Sequence, residues 1–309
     1  MAAWTRKRVS LPENQGFDRC TLDSGKPGLR VVVFGGTHGD EIEGILAANR
    51  VANTDFKLLS GILEVVPVVH EAAYHADSRF SPLDGGNLAR VFPGDPNGKP
   101  TQRLAHALQT QVLNGVDLLI DLHTAGQIYD IPYLVGYIDD GRDKKGLGAR
   151  ACKAFGADFI WRHEARVGGR TLSDVDAAIY TEAPLPGPTD MGFVDRYYDG
   201  VLRVLAELGM IDKSVAPPPP ARPARRIASG GDVDKDLQSA SHAGIYIPKV
   251  REAERVRKGQ LLAQIIDIEG KVLQELQAPF DGWVVVSQRR PHVKPGDSVV
   301  GIAIDDTKS

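Results

Sequence analysis

Two short stretches hold side chains able to meet at one point. Residues 35–44 read GGTHGDEIEG, with His38 and Glu41 three positions apart, and residues 118–126 read LLIDLHTAG, with His123. A catalytic zinc site typically takes three protein ligands, often two histidines and a glutamate, and keeps a fourth position for water. An HxxE pair alone is a weak signal, and a lone histidine after a strand is more often a hydrogen-bonded structural residue. The combination of the pair with a second histidine of the same placement points to a metal centre formed by His38, Glu41 and His123.

Those residues need elements to bring them together. Three apolar runs, Leu29–Phe34 (LRVVVF), Ile62–Val69 (ILEVVPVV) and Val116–Leu122 (VDLLIDL), read as strands buried on both faces. Both histidines stand just past such a run, and in α/β sheets ligands gather outside the carboxyl ends of strands. Apolar residues at three- and four-residue spacing predict helices over Glu43–Asn53 and Thr101–Leu113. The alternation of strand and helix gives an α/β class. It continues through a helix at Gly148–Phe155, the runs ADFIWRHE and AAIYTEAP, and a last helix within residues 191–211.

The pattern stops at KSVAPPPPARPARR, residues 213–226. Four consecutive prolines stiffen a polyproline II segment and cannot sit in a packed helix or a central strand. This predicts a catalytic α/β domain over 1–212, a Pro-rich linker over 213–226 and a small all-β domain over 227–309, where short alternating runs are separated by glycine turns. The phrases VRKGQLLAQI, APFDGWV and VKPGDSVVGI resemble the half-motifs of a barrel-sandwich fold. Carrier domains of that fold display a lysine beside methionine at a hairpin tip, and Lys271 has no such flank. A structural, oligomerising or pocket-shaping role is expected of this domain, and a homo-oligomer of the chain.

Composition narrows the partners. The chain has 309 residues, 42% hydrophobic and 25% charged, with a net charge of -3, an ordinary globular balance that argues against nucleic acid. Cys20 and Cys152 lie far apart and outside any thiolate metal motif, so neither a disulfide framework nor a structural zinc is expected. No window approaches the ~18 apolar residues of a membrane span, and the basic start lacks an apolar stretch after it. A cytoplasmic protein without membrane contact is the expectation.

Taken in order, GGTHGDE, RFSPLDGGNLARVFPG and DLHTAG resemble the succinylglutamate desuccinylase/aspartoacylase family, a branch of the zinc carboxypeptidase-like enzymes, over most of residues 29–210. The resemblance implies a mixed sheet flanked by helices with a small C-terminal β domain, and one zinc per chain on His38, Glu41 and His123. It further implies that Arg79 polarises the scissile carbonyl, that Arg90 pairs with a substrate carboxylate, and that Glu182 in AIYTEAP handles protons. The residue types suit those roles. A guanidinium donates to a developing oxyanion or forms a bidentate pair with a carboxylate, and a carboxylate moves protons between water and a leaving nitrogen.

Asp121 lies two residues before His123 on the same strand face, placed either to orient a ligand or the substrate or to hold the loop. His70, His75, His106, His163, His242 and His292 lie outside the motifs and are expected to be mostly structural or exposed. One departure stands out. The family block runs Asp-Leu-Asn-Arg, whereas this chain has Asn87-Leu88-Ala89-Arg90, so a methyl group replaces an amide that helps hold the substrate carboxylate. The expected activity is hydrolysis of the amide of a small N-acylated amino acid or amine. A metallocarboxypeptidase and a non-catalytic binding protein are the alternatives.

Overall fold

The computed structural model of the chain describes residues 3–166, 168–171, 174–184, 188–228 and 236–307. Its first part contains strands β1 (Thr5–Ser10), β2 (Gly16–Asp23), β3 (Arg30–Gly35), β4 (Ile62–Val66), β5 (Leu118–Leu122), β6 (Tyr129–Asp130), β7 (Leu134–Ile138), β8 (Phe159–His163) and β9 (Ala178–Glu182). Helices α1 (Ile42–Ala52), α2 (Glu71–His75), α3 (Pro100–Leu108), α4 (Leu147–Phe155) and α5 (Met191–Glu207) connect and cover them. The C-terminal part is all strand: β10 (Arg225–Ala228), β11 (Gln238–Ser239), β12 (Gly244–Pro248), β13 (Arg255–Val256), β14 (Leu261–Ile266), β15 (Val272–Gln277), β16 (Gly282–Gln288), β17 (His292–Val293) and β18 (Ser298–Asp305).

The main sheet runs in the order β1-β2-β4-β3-β5-β9-β7-β8-β10-β18-β16-β13. Its centre is parallel, with β4, β3, β5 and β9 aligned, and β7 is antiparallel to β9. Successive residues of β3 feed opposite cores, as a strand covered on both faces requires. Val31 and Val33 pack with α1, α4 and α5, whereas Val32 and Phe34 pack with α3. Asp121 pairs with Phe34 across β3 and β5, on the α3 side, where the site described below opens.

Element ends differ from the sequence expectations for local reasons. The run Ile62–Val69 leaves the sheet after Val66 because Pro67 has no N–H to give the ladder. The run Val116–Leu122 pairs only from Leu118, since the Asp117 N–H and carboxylate are engaged by the Arg30 backbone. The helix expected to end at Leu113 passes at Gln109 into a π turn. The β1–β2 hairpin carried no apolar signature, because five of the six β1 residues are exposed.

The Pro-rich stretch does not end the sheet. β10 begins at Arg225, within the expected linker, and pairs in parallel with β8, while β18 pairs with β10 and carries β16 and β13. A separate antiparallel sheet, β15-β14-β12-β17, packs across β13, β16 and β18 around Val256, Leu262, Ile265, Val284 and Val299. Lys271 is exposed in the turn joining β14 to β15. β16 also pairs with β6, Gln288 with Tyr129 and Ser287 with Asp130, so the C-terminal part reaches the loop that follows His123.

Candidate metal centre and the cavity around it

The turn between β3 and α1 is squeezed between neighbours in a way only glycine permits. A Cβ on Gly39 would fall 2.0 Å from the Ala73 backbone in α2, and one on Gly44 would fall 2.2 Å from the Leu122 carbonyl at the end of β5. Gly39 therefore lets the turn lie against α2, and Gly44, in the first turn of α1, lets that helix lie against the end of β5. His38, Glu41 and His123 are buried, and one ligand atom from each lies within 4.8 Å of the other two. Glu41 uses both oxygens: Oε1 is 2.7 Å from His38 Nδ1 and Oε2 is 2.8 Å from His123 Nδ1. The Thr124 N–H donates to Oε2 at 3.2 Å.

The outer ring nitrogens are held as well. The Ala89 N–H donates to Asn87 Oδ1 at 3.0 Å, which identifies that atom as the amide oxygen. His38 Nε2 lies 3.1 Å from the same oxygen, so Nε2 carries the ring proton and Nδ1 keeps a lone pair. His123 Nε2 lies 3.0 Å from Asp121 Oδ2, and the Thr37 hydroxyl donates to Asp121 Oδ1 at 2.9 Å. Metal-bound histidines are held in this manner, one nitrogen on an oxygen acceptor and the other turned inward. Arg79 NH1 approaches His38 Nδ1 at 3.1 Å and Glu41 Oε1 at 3.2 Å.

Electrostatics fit the same reading. Burial, then the Arg79 guanidinium, pushes His38 down to about 4, so its ring is neutral at pH 7. Burial would raise Glu41, but His38 and His123 outweigh it and hold the carboxylate well below its usual range. Burial would lower His123, yet Asp121 and Glu41 outweigh it and draw its value well up. A carboxylate, a neutral Nδ1 lone pair and an imidazole flanked by two carboxylates together call for positive charge at their centre, which a divalent cation provides.

Glu182, at the end of β9, completes this end of the site. Burial, then the Glu41 charge, pushes its carboxyl well above the ordinary carboxylate range. Its Oε2 is shielded from solvent and has no hydrogen-bond partner among the described residues, so a carboxyl able to exchange a proton stands beside the cluster. His38, Arg79, Arg90, Asp121, His123 and Glu182 all line one cavity of about 130 Å³. Tyr129 and Val286, from the paired β6 and β16, line it too.

All seven candidate site residues thus lie in or beside one site. Sequence reasoning missed the hold of Asn87 on His38. It also set His163 aside with histidines expected to be structural or exposed; His163 is buried and lines the cavity with Trp161 and Tyr180. A signal was available in ADFIWRHE and AAIYTEAP, where alternate residues share a strand face. Of the other histidines, His70 is buried ahead of α2, while His75, His242 and His292 are exposed.

Comparison with known proteins adds the following. Residues 27–182 match the Succinylglutamate desuccinylase/Aspartoacylase catalytic domain. N-alpha-acetyl-L-2,4-diaminobutyric acid deacetylase of Halomonas elongata is 28% identical over 294 residues, covering 89% of this chain and 82% of that protein. A succinylglutamate desuccinylase/aspartoacylase structure from Rhodobacter sphaeroides superposes with a TM-score of 0.85 at 28% identity, over 100% of this chain and 96% of the other. The product-bound ectoine utilization protein EutE (DoeB) of Ruegeria pomeroyi gives 0.82 at 23% identity, over 98% and 95% of the two chains, a likeness of fold.

Proposed function

The chain belongs to the succinylglutamate desuccinylase/aspartoacylase family, and on that premise we propose that it is a zinc-dependent deacylase that cleaves the amide of a small N-acylated amino acid. The carrying observation is the convergence of His38, Glu41 and His123 beside the unpartnered Glu182 oxygen. Two histidines and one carboxylate suit zinc. The ion supplies Lewis acidity and draws the pKa of a water toward ~7 when bound by these residues.

The protein's own groups do the rest. Glu182 takes a proton from the attacking water and delivers it to the amide nitrogen, which leaves as a neutral amine instead of an amide anion. The products are a carboxylate and a free amine. Arg79 donates to the carbonyl oxygen as negative charge gathers there, which is where such a donor lowers the barrier. Arg90 pairs with a carboxylate on the substrate. Asp121 keeps the His123 ring in place.

The division of the chain at 213–226 and its association into oligomers belong to this proposal as well. In it the C-terminal part narrows the mouth of the site through Val286 and the β6–β16 pairing, an arrangement that favours small substrates over a polypeptide. The reading is tested by incubating zinc-loaded protein with N-acetyl amino acids and with hippuryl peptides. Amine release from the first set, abolished by chelation, is expected. Preferential cleavage of the peptides would make it a carboxypeptidase, and zinc binding without turnover of either set would make it a binding protein.

A further inference from the structure

The last pair of the β5–β9 ladder is Leu122 with Thr181, so the main chain of His123 lies just past it. Two side chains take hold of its carbonyl there. The Tyr197 hydroxyl donates to it at 2.5 Å and the Thr181 hydroxyl at 3.2 Å, one donor for each lone pair of the oxygen. Thr181 precedes Glu182 on β9, and on the other side of Glu182 the Ala183 carbonyl accepts the Ala125 N–H at 3.1 Å. Glu182 is therefore bracketed by two bonds to the segment that bears His123.

Tyr197 is itself held firmly. It stands in the second turn of α5, fully buried, with its ring stacked on Tyr133 at a centroid distance of 5.8 Å and against Phe155 at 6.3 Å. Burial raises it well above its usual value, so the hydroxyl keeps its proton and serves as a donor. The start of the same helix is tied to α1, where the buried Glu43, two residues after Glu41, accepts the Asp190 N–H at 2.9 Å. Helix α5 thus grips both segments that bear the candidate ligands. Tyr197 does not line the cavity, so any part it has in the chemistry passes through His123.

We infer that Tyr197, with Thr181, is a positioning residue: it fixes the backbone of His123 and thereby the spacing between that ring and the Glu182 carboxyl. The inference rests on the metal-dependent deacylase reading. Glu41 and Asp121 determine how the His123 imidazole is turned, but the point from which it projects is set by its main chain. Site geometry of this kind must hold to within about 0.5 Å, and a residue past the end of a ladder lacks the ladder's own restraint. A tyrosine hydroxyl in a core also needs a partner for its own sake. Were that its whole purpose, its loss would cost stability and leave metal affinity unchanged.

The test uses the full chain as wild type, Tyr197→Phe, Thr181→Val and the double variant. Tyr197→Phe keeps the stacked ring and removes only the donor. Zinc affinity is read by competition with a chelating dye, site geometry by the visible absorption of the cobalt(II)-substituted protein, and fold stability by the Tm of each protein in excess chelator. Zinc affinity is expected to fall about tenfold in each single variant and about a hundredfold in the double variant. The cobalt bands are expected to shift, and kcat for N-acetyl amino acids to fall at little-changed KM. Wild-type zinc affinity and cobalt bands in Tyr197→Phe, with only the Tm lowered, overturn the inference, whether or not the double variant folds. A wild type that binds neither ion overturns it together with the metal reading. The expected metal effects without amide hydrolysis by the wild type would sustain the positioning of His123 and overturn the deacylase reading instead.

Discussion

The side-chain oxygen of Asn87 sits 3.1 Å from Nε2 of His38 while it accepts the Ala89 N–H at 3.0 Å. One atom thereby sets the turn Leu88–Arg90 and the tautomer of a candidate metal ligand. Removing such a support typically weakens metal binding by about 10–100-fold. Asn87→Ala is expected to lose zinc affinity in that range, and Asn87→Asp, which restores an acceptor, is expected to recover it. Competition against a chelating dye measures both, and equal affinity in all three proteins would remove Asn87 from this role.

His123 is held between Glu41 and Asp121, and its Nδ1 faces the cluster. His123→Ala is expected to strip the metal. In the wild type, zinc at a hundredfold excess over Kd should stabilise the fold by about 2.7 kcal/mol, visible as a rise in Tm that chelation reverses. Full zinc occupancy in the variant, read by elemental analysis, would exclude His123 as a ligand.

Glu182 touches none of the ligand atoms through a hydrogen bond, so its loss should leave the metal in place. Glu182→Ala is expected to retain stoichiometric zinc and lose roughly 10²–10⁴ in kcat. Wild-type turnover in that variant would assign the proton transfer to another group.

Arg90 follows Ala89, whose methyl stands where the family block carries an amide. With that donor gone, the proposed function leaves a substrate carboxylate chiefly to the Arg90 guanidinium, the stronger, charge-assisted partner. Arg90→Ala should depress kcat/KM for free-acid substrates far more than for their neutral amides, and Ala89→Asn should improve hydrolysis of α-N-acylated amino acids. Identical acid-to-amide ratios in the wild type and both variants would show that Arg90 reads no carboxylate.

His70 is fully buried, and neither ring nitrogen has a hydrogen-bond partner among the described residues. Burial pushes it down to about 4, against a smaller upward pull from Asp84. Because the folded value lies below the unfolded value of about 6.5, the unfolded chain binds the extra proton between those limits. The neutral ring's contribution is complete above pH 6.5 and is lost as the pH falls toward 4, by up to about 3 kcal/mol. His70→Leu should flatten this acid limb in urea titrations at pH 7 and pH 5. An unchanged slope would place the acid sensitivity elsewhere.

How much of this was legible in the chain follows from what each residue depends on. The central strands and the meeting of the candidate metal ligands could be read in advance because they obey local rules. Val31 to Phe34 and Leu118 to Ile120 are apolar on both faces, which only a covered strand explains, and the passage from β3 into α1 needs Gly39 and Gly44 at its points of contact. His38 and Glu41 share one turn, and His123 follows a strand of the same kind, so spacing alone suggested their meeting.

The side of the cavity away from the cluster depended on pairings between distant segments. Tyr180 lies over Gly136 only because β7 runs antiparallel to β9, and His163 joins it only because β8 lies beside β7 in register. Likewise Asn87 reaches His38 through a loop placed by tertiary packing, and β10 extends the sheet past four prolines because β8 leaves it an open edge. Strand register carries no mark within a single segment, since a residue's neighbour across the sheet is chosen by the packing of the whole core. The chain by itself thus determined the buried strands and the turn that bears the candidate metal ligands, and the tertiary structure decided what surrounds them.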